Sequence, residues 1–262
     1  MYDMFLLDTL PRQQATMEPH TLNGEKVWLK RAAKRNSRLA YAPLKLLAAW
    51  LKLDALKPVL NTGGEQSIIT EATRIETLRS AGITVPTILA KTPQALLLAD
   101  VGTPDEPAET LLDKLKRSNS PEQVDQTLAR SIEALNSVHS RNCYLSEAFA
   151  RNILVTDEKT VFIDFETDPG QVHAPVDCMV RDWYCFIFSL YGKLYKSPMQ
   201  CERLAPALLE GLRNANQEVR ERFCEILPKL LRLQRFPFKH LGSDGRKISV
   251  TLQALAVLNQ RL

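Results

Sequence analysis

Asn152-Ile153-Leu154-Val155-Thr156-Asp157-Glu158-Lys159-Thr160-Val161-Phe162-Ile163-Asp164-Phe165-Glu166 holds two short apolar runs separated by a polar Asp-Glu-Lys. Short apolar runs on either side of a polar break are the pattern of a β-hairpin. Asp164 is the residue in it that packing alone does not explain. It follows Val161-Phe162-Ile163 and precedes Phe165, so its carboxylate is carried among apolar strand residues. That burial is costly unless a metal ion or hydrogen-bond donors meet the charge. Asn152 stands at the opposite end, so the hairpin has an amide on one side and a carboxylate on the other.

Outward from this hairpin the two halves of the chain differ. On the C-terminal side, apolar residues recur at helical spacing over about Val180 to Tyr191, Cys201 to Ala215, Gln217 to Leu233 and Thr251 to Leu262. Upstream, Ser120-Pro121-Glu122 marks the start of a helix running to Val138, and Glu109 to Leu115 reads as another. The N-terminal part is richer in strands. Thr16 to Arg31 reads as two strands around Asn23-Gly24, a dipeptide suited to the positive φ angles of a tight hairpin; the second, Glu25 to Arg31, contains Val27-Trp28-Leu29-Lys30. Pro43 to Leu56 has the pattern of an amphipathic helix with Lys45 and Lys52 on a common side. Asn61-Thr62-Gly63-Gly64 reads as a flexible break before a helix from about Ser67 to Ala81, which contains Glu71 and stops at Gly82. Ala95 to Ala99 suits a buried strand, and Pro104 to Pro107 a connection between two parts of the molecule. The pattern is that of an α+β protein.

The composition suits one large domain or two units sharing a cleft: 262 residues, 45% hydrophobic, with a formal net charge of +4. The basic character is concentrated. Between Lys26 and Lys57 nine lysines and arginines stand against the single acid Asp54. The five cysteines form no CxxC pair or zinc-ligand pattern, which suits free thiols in a reducing compartment. No apolar stretch approaches the roughly 20 residues needed to cross a bilayer, and no signal-peptide pattern is present. A cytoplasmic protein is expected, with a peripheral position at the inner face of a membrane left open.

Phosphoryl transfer from a nucleotide needs charges held around the phosphates: a lysine, magnesium held by carboxylates and an amide, and a group that orients the acceptor hydroxyl. Lys30, Glu71, Asn152 and Asp164 supply these residue types in that order along the chain. Over roughly Thr16 to Leu190 the chain resembles the protein-kinase-like superfamily, in the small bacterial form of lipopolysaccharide-core kinases and aminoglycoside phosphotransferases. Val27-Trp28-Leu29-Lys30 is similar to its lysine strand, and the stretch from Glu71 to Leu78 followed by Gly82-Ile83-Thr84-Val85-Pro86 to its glutamate helix. Leu145 to Val155 is similar to its catalytic loop, and Phe162-Ile163-Asp164-Phe165-Glu166 to its metal-binding motif. The resemblance implies a bilobal fold with a small β-rich N-terminal lobe over residues 1–103 and a larger, mainly helical lobe over 104–262. It implies ATP and Mg2+ as cofactors, Lys30 paired with Glu71 at the phosphates, and Asn152 and Asp164 as magnesium ligands. Asp182 resembles the buried helix aspartate that braces the catalytic loop.

The chain departs from that pattern at two places. Glu147 stands where the family has its catalytic aspartate, and no GxGxxG precedes Lys30, Gly24 being the only glycine before Gly63. The expected activity is transfer of a phosphoryl group to a hydroxyl of a sugar, a lipopolysaccharide-type glycan or another small molecule. The alternative is a pseudokinase that keeps a nucleotide pocket without turnover. The basic helix 43–56 has three open readings: a solvated face, a membrane-surface contact, or a site for a phosphorylated sugar. No nucleic-acid motif is present.

Overall fold

The computed structural model describes residues 1–33, 59, 61 and 63–262. The amphipathic helix expected over Pro43 to Leu56 lies outside the described residues. The elements in order are α1 (Tyr2–Thr9), β1 (Met17–Leu22), β2 (Glu25–Arg31), α2 (Glu65–Ser80), β3 (Ile88–Thr92), β4 (Ala95–Ala99), β5 (Glu109–Thr110), α3 (Leu111–Arg117), α4 (Pro121–Ser140), β6 (Ile153–Val155), β7 (Thr160–Phe162), α5 (Pro175–Leu194), α6 (Pro198–Arg213), α7 (Gln217–Leu231) and α8 (Gly242–Asn259). The protein is α+β, with a small antiparallel sheet near the N-terminus and a mostly helical remainder.

The sheet has the order β1-β2-β4-β3 and is antiparallel throughout. Its first hairpin turns at Asn23 and Gly24, with φ of 53° and 84°; two consecutive positive φ values give the turn whose twist matches the strands it joins. Alternation along β2 then assigns the faces. Val27 and Leu29 join Leu6 of α1 and Ala90, Ala95 and Leu97 in a small core on one side of the sheet. Trp28 and Lys30 take the other side, toward α2, where Ile68, Ile75 and Leu78 open the main core. That core continues through α4, α5, α6 and α7. α5 is at its centre, with Trp183, Phe186, Ile187 and Leu190 fully buried, the burial expected of a helix apolar on nearly every side. The aromatics of the run Trp183-Tyr184-Cys185-Phe186 therefore pack in the core.

The hairpin at the centre of the sequence reading forms as β6 and β7, and β5 adds a third strand beside β6. Other boundaries moved. Glu109 to Leu115 is two elements, because Thr110 ends β5 and caps α3 by accepting a hydrogen bond from the Asp113 backbone N–H. α8 starts at Gly242, nine residues before the expected Thr251. Gly242-Ser243-Asp244-Gly245 reads as a loop in sequence, yet a side chain at Gly245 would have its Cβ 2.1 Å from the Phe238 carbonyl oxygen. The glycine answers to close backbone packing inside the first turn of a helix. Two elements, α1 and β3, have no counterpart in the sequence reading.

Candidate active site

Strand alternation points Lys30 inward, and α2 brings Glu71 to meet it. The Lys30 Nζ lies 2.7 Å from Glu71 Oε2, 2.9 Å from Asp164 Oδ1 and 3.0 Å from Glu166 Oε1. Lys30 and Glu71 are nearly sealed from solvent, with side chains 10% and 2% exposed, while Glu166 and Asp164 open progressively outward at 19% and 39%. Burial alone would pull the Lys30 pKa down, but the charges of Glu71, Asp164 and Glu166 outweigh it and the net direction is upward. The ammonium therefore stays charged. The Glu71 carboxyl is pushed upward by its own burial, against the opposing pull of Lys30.

Asp164 sits just beyond β7 with φ of 71°. A left-handed backbone is uncommon outside glycine but accessible to aspartate. It turns the chain out of the strand so that Asp164 and Glu166, two residues apart, both reach Lys30. Glu166 is also held from a second side, because Asn61 Nδ2 donates to its Oε2 at 2.8 Å. The Asn61-Thr62-Gly63-Gly64 stretch, read in sequence only as a break, thus supplies a contact to the site. Asn152 is buried beside the same cavity; its amide donates to the Glu147 carbonyl at 3.2 Å and its carbonyl accepts from the Ile163 N–H at 3.0 Å. It ties the loop that carries Glu147 to the strand that leads into Asp164.

The cavity over this cluster has a volume of about 450 Å³. Its lining combines the polar Lys30, Glu71, Asn152, Asp164 and Glu166 with apolar walls that include Trp28, Ile75, Leu98, Val101, Leu154 and Ile163. Trp28 is fixed there by its indole N–H, which donates to Asp100 at 2.6 Å, and by the Lys26 ammonium 4.7 Å from its ring centroid. A larger groove of about 680 Å³ runs between α4 and α6 and holds none of the Lys30 cluster. No protein-family model and no curated protein matches the sequence.

Four of the five residues singled out in sequence, Lys30, Glu71, Asn152 and Asp164, line this one cavity. Glu147 does not. Its carboxylate, 35% exposed, lies 3.9 Å from the Arg181 guanidinium, and its pKa is raised by burial, with Arg181 opposing and Asp164 reinforcing the shift. Glu166 and Asn61 were not predicted as site residues. Glu166 belongs to the Phe162-Ile163-Asp164-Phe165-Glu166 motif, but the left-handed turn at Asp164 that brings it to Lys30 is not legible in sequence. Asn61 lies 105 residues before Glu166, and no local pattern joins them.

A second layer holds the loop in place. Arg74, one helical turn beyond Glu71 on α2, has its guanidinium 4.4 Å from the Tyr144 ring centroid and donates to the Tyr144 carbonyl. The Tyr144 hydroxyl donates to Asp168 at 2.9 Å, and burial pushes its pKa up to about 12. Asp182, fully buried on α5, accepts from the Leu145 N–H at 2.7 Å and lies 3.2 Å from His139 Nε2. It braces the loop that carries Glu147. His139, also fully buried, packs at the end of α4. Arg151 stacks on Phe149 at 4.8 Å.

The donor set answers what the site can bind. Glu71, Asp164 and Glu166 each present an oxygen, all within 4.8 Å of one another. Three carboxylates around one ammonium leave an excess of negative charge in a partly enclosed cleft, and hard oxygens at this spacing suit Mg2+, which completes its coordination with water and substrate phosphates.

Proposed function

We propose that the chain is a kinase-like phosphotransferase with two lobes, residues 1–103 and 104–262, that moves a phosphoryl group from ATP to a hydroxyl of a sugar, a lipopolysaccharide-type glycan or another small molecule. The observation that carries this reading is the convergence of Lys30, Glu71 and Asp164, from a strand, a helix and the end of a hairpin, on one point in a cavity whose lining is otherwise largely apolar. The apolar walls suit a purine and the ionic cluster its phosphates. Lys30, oriented by Glu71, would contact the phosphates, and Asp164, Asn152 and Glu166 would hold Mg2+. Bound there, the ion would neutralise charge on the phosphates during transfer. Glu147, with its raised pKa, would take the acceptor proton. The five cysteines are free and, among the described residues, no helix is long and apolar enough to cross a membrane; both agree with the cytoplasmic placement proposed here.

A thermal-shift titration with ATP and GTP, with and without Mg2+, tests the pocket without knowledge of the acceptor. Stabilisation that requires both nucleotide and Mg2+ and is abolished by Asp164→Ala is expected; no nucleotide binding under any metal condition refutes the reading. A second reading, a nucleotide-binding pseudokinase, rests on the position of Glu147 outside the cavity lining. Nucleotide-dependent stabilisation without transfer to any acceptor favours it.

A further inference from the structure

The connection between α7 and α8 presents large apolar side chains to solvent within a basic stretch of chain. Phe236 and Leu241 are 43% and 66% exposed. From Arg232 to Arg246 the chain carries Arg232, Arg235, Lys239 and Arg246, all exposed, against one acid, Asp244. Asp244 is engaged by Lys247 at 2.7 Å. Among the described residues none of those four cations forms an ion pair. The segment is also firmly built. Two short 3-10 turns, Arg232–Arg235 and Phe238–His240, fold it back on itself, the Leu241 N–H donates to the Phe238 carbonyl at 2.8 Å, and the backbone at Gly245 closes against that same carbonyl. Leu241 is therefore held outward by packed backbone.

We propose that this segment docks the protein on an anionic lipid bilayer, Phe236 and Leu241 entering the headgroup boundary while Arg232, Arg235, Lys239 and Arg246 meet lipid phosphates. Exposed apolar side chains in a segment that also carries four exposed cations match the layering of a bilayer surface, where an apolar interior lies beneath a sheet of negative charge. A nucleic acid would use the cations and leave the two apolar side chains in water. A second copy of the chain would set like charges against one another. None of the segment's residues lines the Lys30 cavity. The Lys247 stem packs beside Gly192, ten residues along α5 from Asp182, about 15 Å at the rise of a helix. The proposal is independent of the phosphotransfer reading.

Co-sedimentation with vesicles of phosphatidylcholine, alone or with about one-third phosphatidylglycerol, tests it at physiological salt. The whole chain should bind the mixed vesicles and not phosphatidylcholine alone. Arg235→Glu with Lys239→Glu should lower the partition coefficient about 25-fold or more, taking roughly fivefold for each cation removed. Leu241→Ser, which leaves the charge unchanged, should lower it about tenfold. Both variants should keep the parent melting temperature, since the replaced side chains are exposed. The proposal is overturned by absence of vesicle binding, by binding that tracks the cations but ignores Leu241, by binding to an RNA oligonucleotide in place of vesicles, or by binding lost in Lys45→Glu/Lys52→Glu and untouched by the loop variants.

Discussion

Replacing Lys30 by methionine removes the one cation among the described residues that three carboxylates share, while keeping the length of the side chain. Glu71, Asp164 and Glu166 have oxygens within 4.8 Å of one another, and two unit charges at that separation repel by about 3.5 kcal/mol at an effective dielectric constant near 20. Glu71 cannot escape into water, being 2% exposed. Removing one partner of a buried ion pair costs about 3–5 kcal/mol, and that is the expected loss of unfolding free energy near pH 7, read from urea denaturation. The loss has a definite pH dependence. Without the ammonium nothing opposes the upward push of burial on the Glu71 carboxyl, so the folded variant binds more protons than the unfolded chain and its stability falls as pH rises through the Glu71 pKa. The gap to the parent protein should therefore narrow on acidification. Millimolar Mg2+ should narrow it at neutral pH, since a ligand at 100 times its Kd stabilises by about 2.7 kcal/mol. Lys91→Met is the control: its partner Glu76 is 56% exposed, and a surface pair is worth about 1 kcal/mol or less. A Lys30→Met protein as stable as the parent at neutral pH, indifferent to both acid and Mg2+, would refute the reasoning.

Three further outcomes follow from the same geometry. On the proposed function, Glu147→Gln should abolish phosphotransfer while nucleotide-dependent thermal stabilisation persists, and in the unsubstituted protein the acid limb of the pH–rate profile should lie above the range of an ordinary glutamate, activity rising as the buried carboxyl loses its proton. Asp182→Ala strands the buried Leu145 N–H and His139, so about 3 kcal/mol or more of stability should be lost in urea titration. Gly211→Ala places a methyl 2.3 Å from Ile132 Cγ2 and 3.0 Å from the Trp183 ring; overpacking of this kind should cost about 1–3 kcal/mol, and an unchanged unfolding midpoint would show that α4 and α6 can separate freely.

What could be read from the sequence divides along a physical line. Asn23-Gly24, Ser120-Pro121 and Gly82 are local signals, each fixing a turn or a helix end through its own backbone, and each stands where it was expected. The helices with an apolar stripe were legible for the same reason. α1 has no such stripe: Leu6 is buried while Met4 and Leu7 are exposed, and its placement depends on a sheet that forms later in the chain. β3 depends likewise on pairing with β4. In the site, the order of Lys30, Glu71, Asn152 and Asp164 pointed to a common cavity. The contact of Asn61 with Glu166 and the stacking of Arg74 on Tyr144 arise only from folding, across 105 and 70 residues of chain.

The small core on the far side of the sheet has a practical consequence for anyone handling this protein. Its only lid among the described residues is α1, whose Leu6 is wholly enclosed by Val27, Leu29, Ala90, Ala95 and Leu97. Trimming the first nine residues, or forcing them apart with a rigid fusion, would leave the back of β2 and β4 as a greasy, solvent-facing surface directly behind Lys30. Recombinant forms shortened at that end should precipitate or lose ligand response for a reason unrelated to chemistry, and affinity tags belong at the other terminus.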